Sequence, residues 1–193
     1  MVRIVLIRPG ATEYAQQGRI QGVLEVPLSR EGTSEAARIS GELSGMEIDA
    51  IYSSGCEHAL ETANAIATAL GIKVKPLEGC QNLDHGLWQG MLVEEIKRKQ
   101  PKVYRQWQDQ PESVCPPGGE TLNEAQERVR AVVKKLLRKH KHGTVGLVVP
   151  EPLASLLRAY LEQTDVGDLW RAGTVHGTWE VIEVEPRSLA HSS

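Results

Sequence analysis

Three apolar runs of the chain end in residues that could do chemistry. VRIVLI (2–7) leads to Arg8, Pro9 and Gly10; IDAIY (48–52) leads to Ser53 and Ser54; VGLVV (145–149) leads to Pro150 and Glu151. Arg8 is a permanently charged, planar donor suited to holding an anion. Ser53 and Ser54 lie just ahead of a helical pattern and could add donors of the kind that hold phosphate. Pro9 and Pro150 bring no donor, acid, base or nucleophile to the same kind of position. Cys56, Cys80 and Cys115 have no metal-ligand spacing and read as small apolar fillers in a reducing compartment.

The elements that must position these residues follow from periodicity. The run 3–7 is apolar, rich in β-branched residues and ended by Pro-Gly, the pattern of a strand buried on both faces. Further strands are predicted over 48–54, 72–77, 143–150 and 177–185. Helices are predicted from Ser29 to about Leu43, from Glu57 to Leu70 with Gly71 as the stop, and from Thr121 to about His140. Another is expected after Pro152. Thr121 and Glu124 form a capping-box pattern. Strands alternating with helices define an α/β chain: a three-layer α/β/α sandwich around a mostly parallel sheet. Ligands of such sheets bind beyond the C-terminal ends of strands, where Arg8, Ser53 and Pro150 stand. The stretch 10–28 reads as a long loop, and the Pro/Gly-rich 111–119 as a connector or a lid over the mouth.

A length of 193 residues fits one domain over 1–186, with 187–193 a flexible tail. The net charge of −3 argues against a nucleic-acid partner held by overall charge. No apolar run approaches the roughly 20 residues of a membrane span, and no leader pattern opens the chain. A cytoplasmic protein without a membrane partner is expected.

Six segments resemble one family in the right order. LIRPGATEY (6–14) resembles the LIRHGET-type opening of the histidine phosphatase superfamily, which includes phosphoglycerate mutases and related phosphatases. GRIQGVLEVPLSREG (18–32), IYSSGCEHALETANAIA (51–67), LDHGLWQG (83–90), PPGGETLNEAQERV (116–129) and VGLVVPEPLASLLR (145–158) resemble its later motifs. The resemblance implies a phosphoglycerate mutase-like fold and a covalent mechanism. A histidine after the first strand takes up a phosphoryl group, two arginines and a second histidine hold its oxygens, and a carboxylic acid protonates the leaving oxygen.

This chain departs from that pattern at nearly every such position. The nucleophile falls at Pro9, the second arginine at His58, the acid at Asn82, the second histidine at Pro150 and the following glycine at Glu151. A loop asparagine falls at Ala15, and only the first arginine is kept, as Arg8. No catalytic set is intact by this alignment. The resemblance therefore leaves a remnant phosphate pocket of Arg8, Ser53, His58, Asn82 and Glu151, with Glu13, Tyr14, His85 and His176 as candidates for its lining. Trp88 is expected to pack its loop onto the body.

Two functions follow as expectations. The first is a pseudoenzyme, a non-catalytic binding, regulatory or scaffolding module that takes a phosphorylated small molecule or a protein partner. It needs no cofactor or metal, and a homodimer is compatible with it. The alternative is an altered phosphatase in which His58, His85 or His176 has taken over as nucleophile, or in which the three bind a metal if they share one cavity.

Overall fold

The computed structural model describes residues 1–185, and the predicted tail 187–193 lies outside them. Apolar alternation on β1 (Val2–Arg8) sets the architecture. Val2, Ile4 and Leu6 enter one core, while Val5 and Ile7 enter another on the opposite face of the sheet. Around it come α1 (Glu13–Gln16), α2 (Arg30–Leu43), β2 (Ala50–Ser53), α3 (Glu57–Leu70), β3 (Val74–Pro76), α4 (Val93–Lys99) and α5 (Pro101–Asp109). The chain continues through α6 (Leu122–Lys139), β4 (Gly143–Val148), α7 (Leu153–Glu162), α8 (Leu169–Ala172) and β5 (Thr178–Val184).

The strand order is β3-β2-β4-β1-β5. β1, β4, β2 and β3 run parallel, and β5 joins β1 antiparallel. Helices α2 and α3 bury Ile39, Leu43, Ala63 and Ile66 with Val5 and Ile7 on one face. Helices α6 and α7 bury Val129, Val133, Leu153 and Leu157 with Ile4 and Leu6 on the other. The three-layer α/β sandwich expected from the pattern is what forms.

Local chemistry explains the element ends. Ser29 caps α2 by accepting from the Gly32 N–H, and Gly71 stops α3 in the left-handed conformation at φ 67°. Thr121 and Glu124 complete the capping box at the start of α6. Two expectations need correction, and one helix was not expected. The 10–28 loop contains α1, nucleated by the Thr12 side chain accepting from the Ala15 N–H. The strand expected over 72–77 shrinks to Val74–Pro76, a short piece at the sheet edge where a proline is tolerated. Helix α8 escapes a periodicity reading because it is only four residues long, capped by Asp168.

Candidate active site

The strand ends converge as the topology requires. Val149 N–H donates to the Ile7 carbonyl, so the β1 and β4 ends that carry Pro9 and Pro150 lie side by side. A cavity of about 550 Å³ opens there; Pro9, Pro150, Glu151, His58, Asn82 and His176 are among its lining residues, and His85 joins them deeper in. Arg8, Ser53, Glu13 and Tyr14 are outside the lining. A larger cavity of about 690 Å³ lies between the Pro111 turn, α6 and α7, and holds none of these residues.

Arg8 is occupied by the protein itself. Its Nε donates to Glu151 Oε1 at 2.6 Å, and its Nη1 pairs with Glu180 Oε1 at 2.7 Å. Burial works against the guanidinium's charge, but Glu151 and then Glu180 outweigh it and hold its pKa above the ordinary value. Glu151 is equally committed: its Oε2 accepts the Ser155 N–H in the first turn of α7. A carboxylate therefore sits on the arginine that the resemblance assigns to the substrate's phosphoryl group.

Asn82 works as a clip. Its Nδ2 donates to the carbonyls of Gly22 and Glu151, and its Oδ1 accepts the Leu83 N–H, which joins the 18–28 loop to the β4 end. Ser53 is fully buried and takes no part in the lining. The 111–119 segment packs on the 84–87 turn through Leu87 N–H to Pro117 O, beside the bond from Glu120 N–H to Asp84 O, and contributes nothing to the lining. Trp88 is buried in the core. Cys56 and Cys80 are buried fillers, whereas Cys115 is exposed because it lies on this surface segment.

The three histidines are held differently. His58, in the first turn of α3, faces Gln21. The Gln21 carbonyl accepts from the Thr12 hydroxyl and its amide donates to Leu24 O, so the same NH₂ donates to His58 Nδ1 at 3.2 Å. That bonding puts the His58 proton on Nε2. Burial pushes its pKa down to about 4, and the ring is neutral at pH 7. His85 is pushed down to about 4 by burial as well; its Nδ1 has no partner and its ring meets the Trp107 edge at 5.5 Å.

His176 has a carboxylate behind it. Its Nδ1 lies 2.9 and 3.0 Å from the two oxygens of Glu35, so in the neutral ring Nδ1 carries the proton and Nε2 the lone pair. Glu35 Oε2 also accepts the Ala11 N–H at 2.8 Å, and the Gly177 N–H donates to the Pro9 carbonyl at 2.8 Å. These bonds hold His176 against the loop that carries Pro9. The backbone fit is tight there. A Cβ on Gly32 would stand 2.0 Å from the Ala11 carbonyl oxygen, and one on Gly10 would stand 2.2 Å from that of Gly32. Only glycines allow α2, and Glu35 with it, to approach this loop so closely. Among the described residues no group of three or more His, Cys, Asp or Glu is arranged to hold a metal ion.

Sequence reasoning did not reach Glu35, Glu180 or Gln21. Glu35 is separated from His176 by 141 positions. Only a register for β5 against β1 would have brought Glu180 to Arg8.

The chain matches the model of the histidine phosphatase superfamily (branch 1) over residues 4–191, and it belongs to that family. It is 33% identical over 187 residues to "Phosphoserine phosphatase 1" of Hydrogenobacter thermophilus, covering 97% of this chain and 89% of that one. It is 31% identical over 151 residues to a "Metal-independent phosphoserine phosphatase" of Arabidopsis thaliana, covering 77% of this chain and 63% of that one. Several mycobacterial relatives are longer, and the chain spans 44% of their length. Among solved structures, YhfR of Bacillus stearothermophilus superposes with a TM-score of 0.84 at 27% identity, over 95% of this chain and 92% of that one. These relatives correct the expectation of a non-enzyme. Proteins this similar over this length are named phosphatases, which points to an enzyme family. The losses at Pro9 and Pro150 were given more weight than the three histidines, which the fold brings to one cavity. Among the described residues no helix is long and apolar enough to cross a membrane.

Proposed function

We propose that the protein is an altered phosphatase that hydrolyses phosphomonoesters with His176 as the nucleophile. One observation carries this reading: the His176–Glu35 pair stands beside Pro9, on the cavity where the family's nucleophile would act. An imidazole whose Nδ1–H is held by a carboxylate keeps a directed lone pair on Nε2, the general arrangement of an activated histidine. Glu35 would stabilise the positive charge that the ring gains on bonding phosphorus.

The phosphoryl oxygens need donors other than Arg8, which two carboxylates neutralise. The neutral His58 offers an Nε2–H. At the rim stand Arg19 and Arg171, which form no ion pair among the described residues. The ligand class is a phosphorylated small molecule, taken without a metal or cofactor. Free thiols at Cys56, Cys80 and Cys115 support a reducing, cytoplasmic setting.

Repurified protein should turn over p-nitrophenyl phosphate. His176→Ala should lower kcat by at least about 10²-fold, the scale of a lost proton-transfer or nucleophilic group. Glu35→Gln, which keeps a hydrogen bond but removes the charge, should cost less and should change the pH–rate profile. Undiminished turnover in His176→Ala, or no turnover in the repurified parent protein, would overturn the reading.

A further inference from the structure

We propose that the substrates of this site are aryl phosphates, monoesters of phenol-type hydroxyls, rather than esters of alkyl alcohols. The inference rests on the phosphatase reading above and narrows it through two independent features of the cavity.

The first feature is an aromatic wall. Tyr104 and Trp107 of α5 and Trp170 of α8 line the same cavity as the three histidines. Tyr104 and Trp170 stack with centroids 5.1 Å apart and planes 9° from parallel, and Trp107 leans on Trp170 at 6.1 Å. The Trp170 indole N–H donates to the Tyr104 carbonyl, which fixes the plane of the ring. Beneath them the buried Trp88 stacks on Trp170 at 5.9 Å. His85 joins this wall to the catalytic end, since it touches Trp107 and stands three residues from Asn82. A rigid wall of this kind favours a planar, apolar group over a short polar one.

The second feature is the lack of an acid for the leaving oxygen. Asn82 stands where the family carries its carboxylic acid. Two of the three carboxylates that line the cavity are engaged as acceptors. Glu151 takes Arg8 and the Ser155 N–H, and Asp168 takes the Trp170 and Arg171 N–H groups and the Gln108 amide. Glu94 pairs with Lys97 on the outer surface. An alkoxide comparable to hydroxide, the conjugate base of a very weak acid, leaves poorly without a proton. A phenolate, with a pKa of about 10, leaves as the anion. The proton of His85 belongs on Nε2, because an orphan buried acceptor at Nδ1 is tolerated better than an orphan N–H. That N–H can hydrogen-bond an aryl oxide without transferring its proton.

The step balances with water alone. The His176 Nε2 lone pair bonds phosphorus, the P–O(aryl) bond breaks, and its electron pair departs on the aryl oxide, which takes a proton from water. A second water then bonds phosphorus and the N–P bond breaks, returning its pair to Nε2. The proton from that water goes to solvent with inorganic phosphate.

The test compares kcat/KM for phenyl phosphate and phosphotyrosine with that for phosphoserine and glycerol phosphate. The aryl esters should lead by at least tenfold, and Tyr104→Ala should shrink that lead. Independently of any variant, phenylphosphonate should compete with substrate and perturb tryptophan fluorescence at least tenfold more tightly than methylphosphonate. Turnover with no aryl preference, or equal binding of the two phosphonates, would overturn this inference and leave the phosphatase reading standing. No turnover of any ester would overturn both.

Discussion

The two sides of the cavity use their polar groups in opposite ways. On the Arg8 side every strong group is bonded inside the protein: Arg8 to Glu151 and Glu180, Glu151 to the start of α7, and Asn82 to two carbonyls. On the histidine side each ring is fixed through one nitrogen or by its packing. His176 is held by Glu35, His58 by Gln21 and His85 by Trp107. The first side is structural in its bonding; on the second, His58 and His176 are bonded through Nδ1 and His85 Nδ1 has no partner. The lesson is that a residue at a family's ligand position can be turned into scaffold by carboxylates of its own chain.

The largest test of this contrast is Arg8→Ala. Glu151, whose side chain is 3% exposed, would be left as a buried carboxylate without its cation. Removing one partner of a buried pair typically costs about 3–5 kcal/mol, and urea unfolding of the variant should show a loss of that order. A loss below about 1 kcal/mol would mean that Arg8 is held for a ligand rather than for the fold.

Next comes pH. The folded pKa of His58 and His85, about 4, lies below the ordinary value of 6.5 because burial disfavours the charged ring. The unfolded chain therefore binds more protons between those values, and stability falls as pH drops from about 6.5 toward 4. By linkage each ring accounts for at most about 3 kcal/mol. Melting temperatures measured across this window should decline, and His85→Gln should flatten the decline. A profile that is level from pH 7 to 4.5 would break the description of the histidine side as buried and neutral.

Gly32→Ala sharpens the comparison at smaller scale. The new Cβ must displace the Ala11 carbonyl from 2.0 Å, and overpacking of this kind costs about 1–3 kcal/mol. The shift also moves the Ala11 loop relative to Glu35, so turnover should fall together with stability. Unchanged stability and rate would show that the close approach of α2 does not set the His176 position.

Much of the fold was readable in the chain. Apolar runs such as 3–7 and 145–149, the Ser29 and Thr121 caps and the Gly71 stop are local signals whose physics does not depend on distant partners. The candidate site was readable only in part. Pro9, His58, His85, Asn82, Pro150, Glu151 and His176 were singled out by alignment to family motifs. What each one touches could not be read, because Glu35, Glu180 and Gln21 come from elements brought together by tertiary packing. The aromatic wall was hidden for the same reason. Tyr104 and Trp170 lie 66 positions apart, on two short helices that only the tertiary fold brings together.

The central claim concerns where a phosphoryl group lands. The protein should be quenched in alkali during turnover of a ³²P-labelled aryl phosphate and digested, and the labelled peptide sequenced. Acid-labile, alkali-stable label on the peptide carrying His176, absent from His176→Ala, is the result this account predicts. Label on His58 or His85, or hydrolysis that passes through no phosphoprotein, would contradict it.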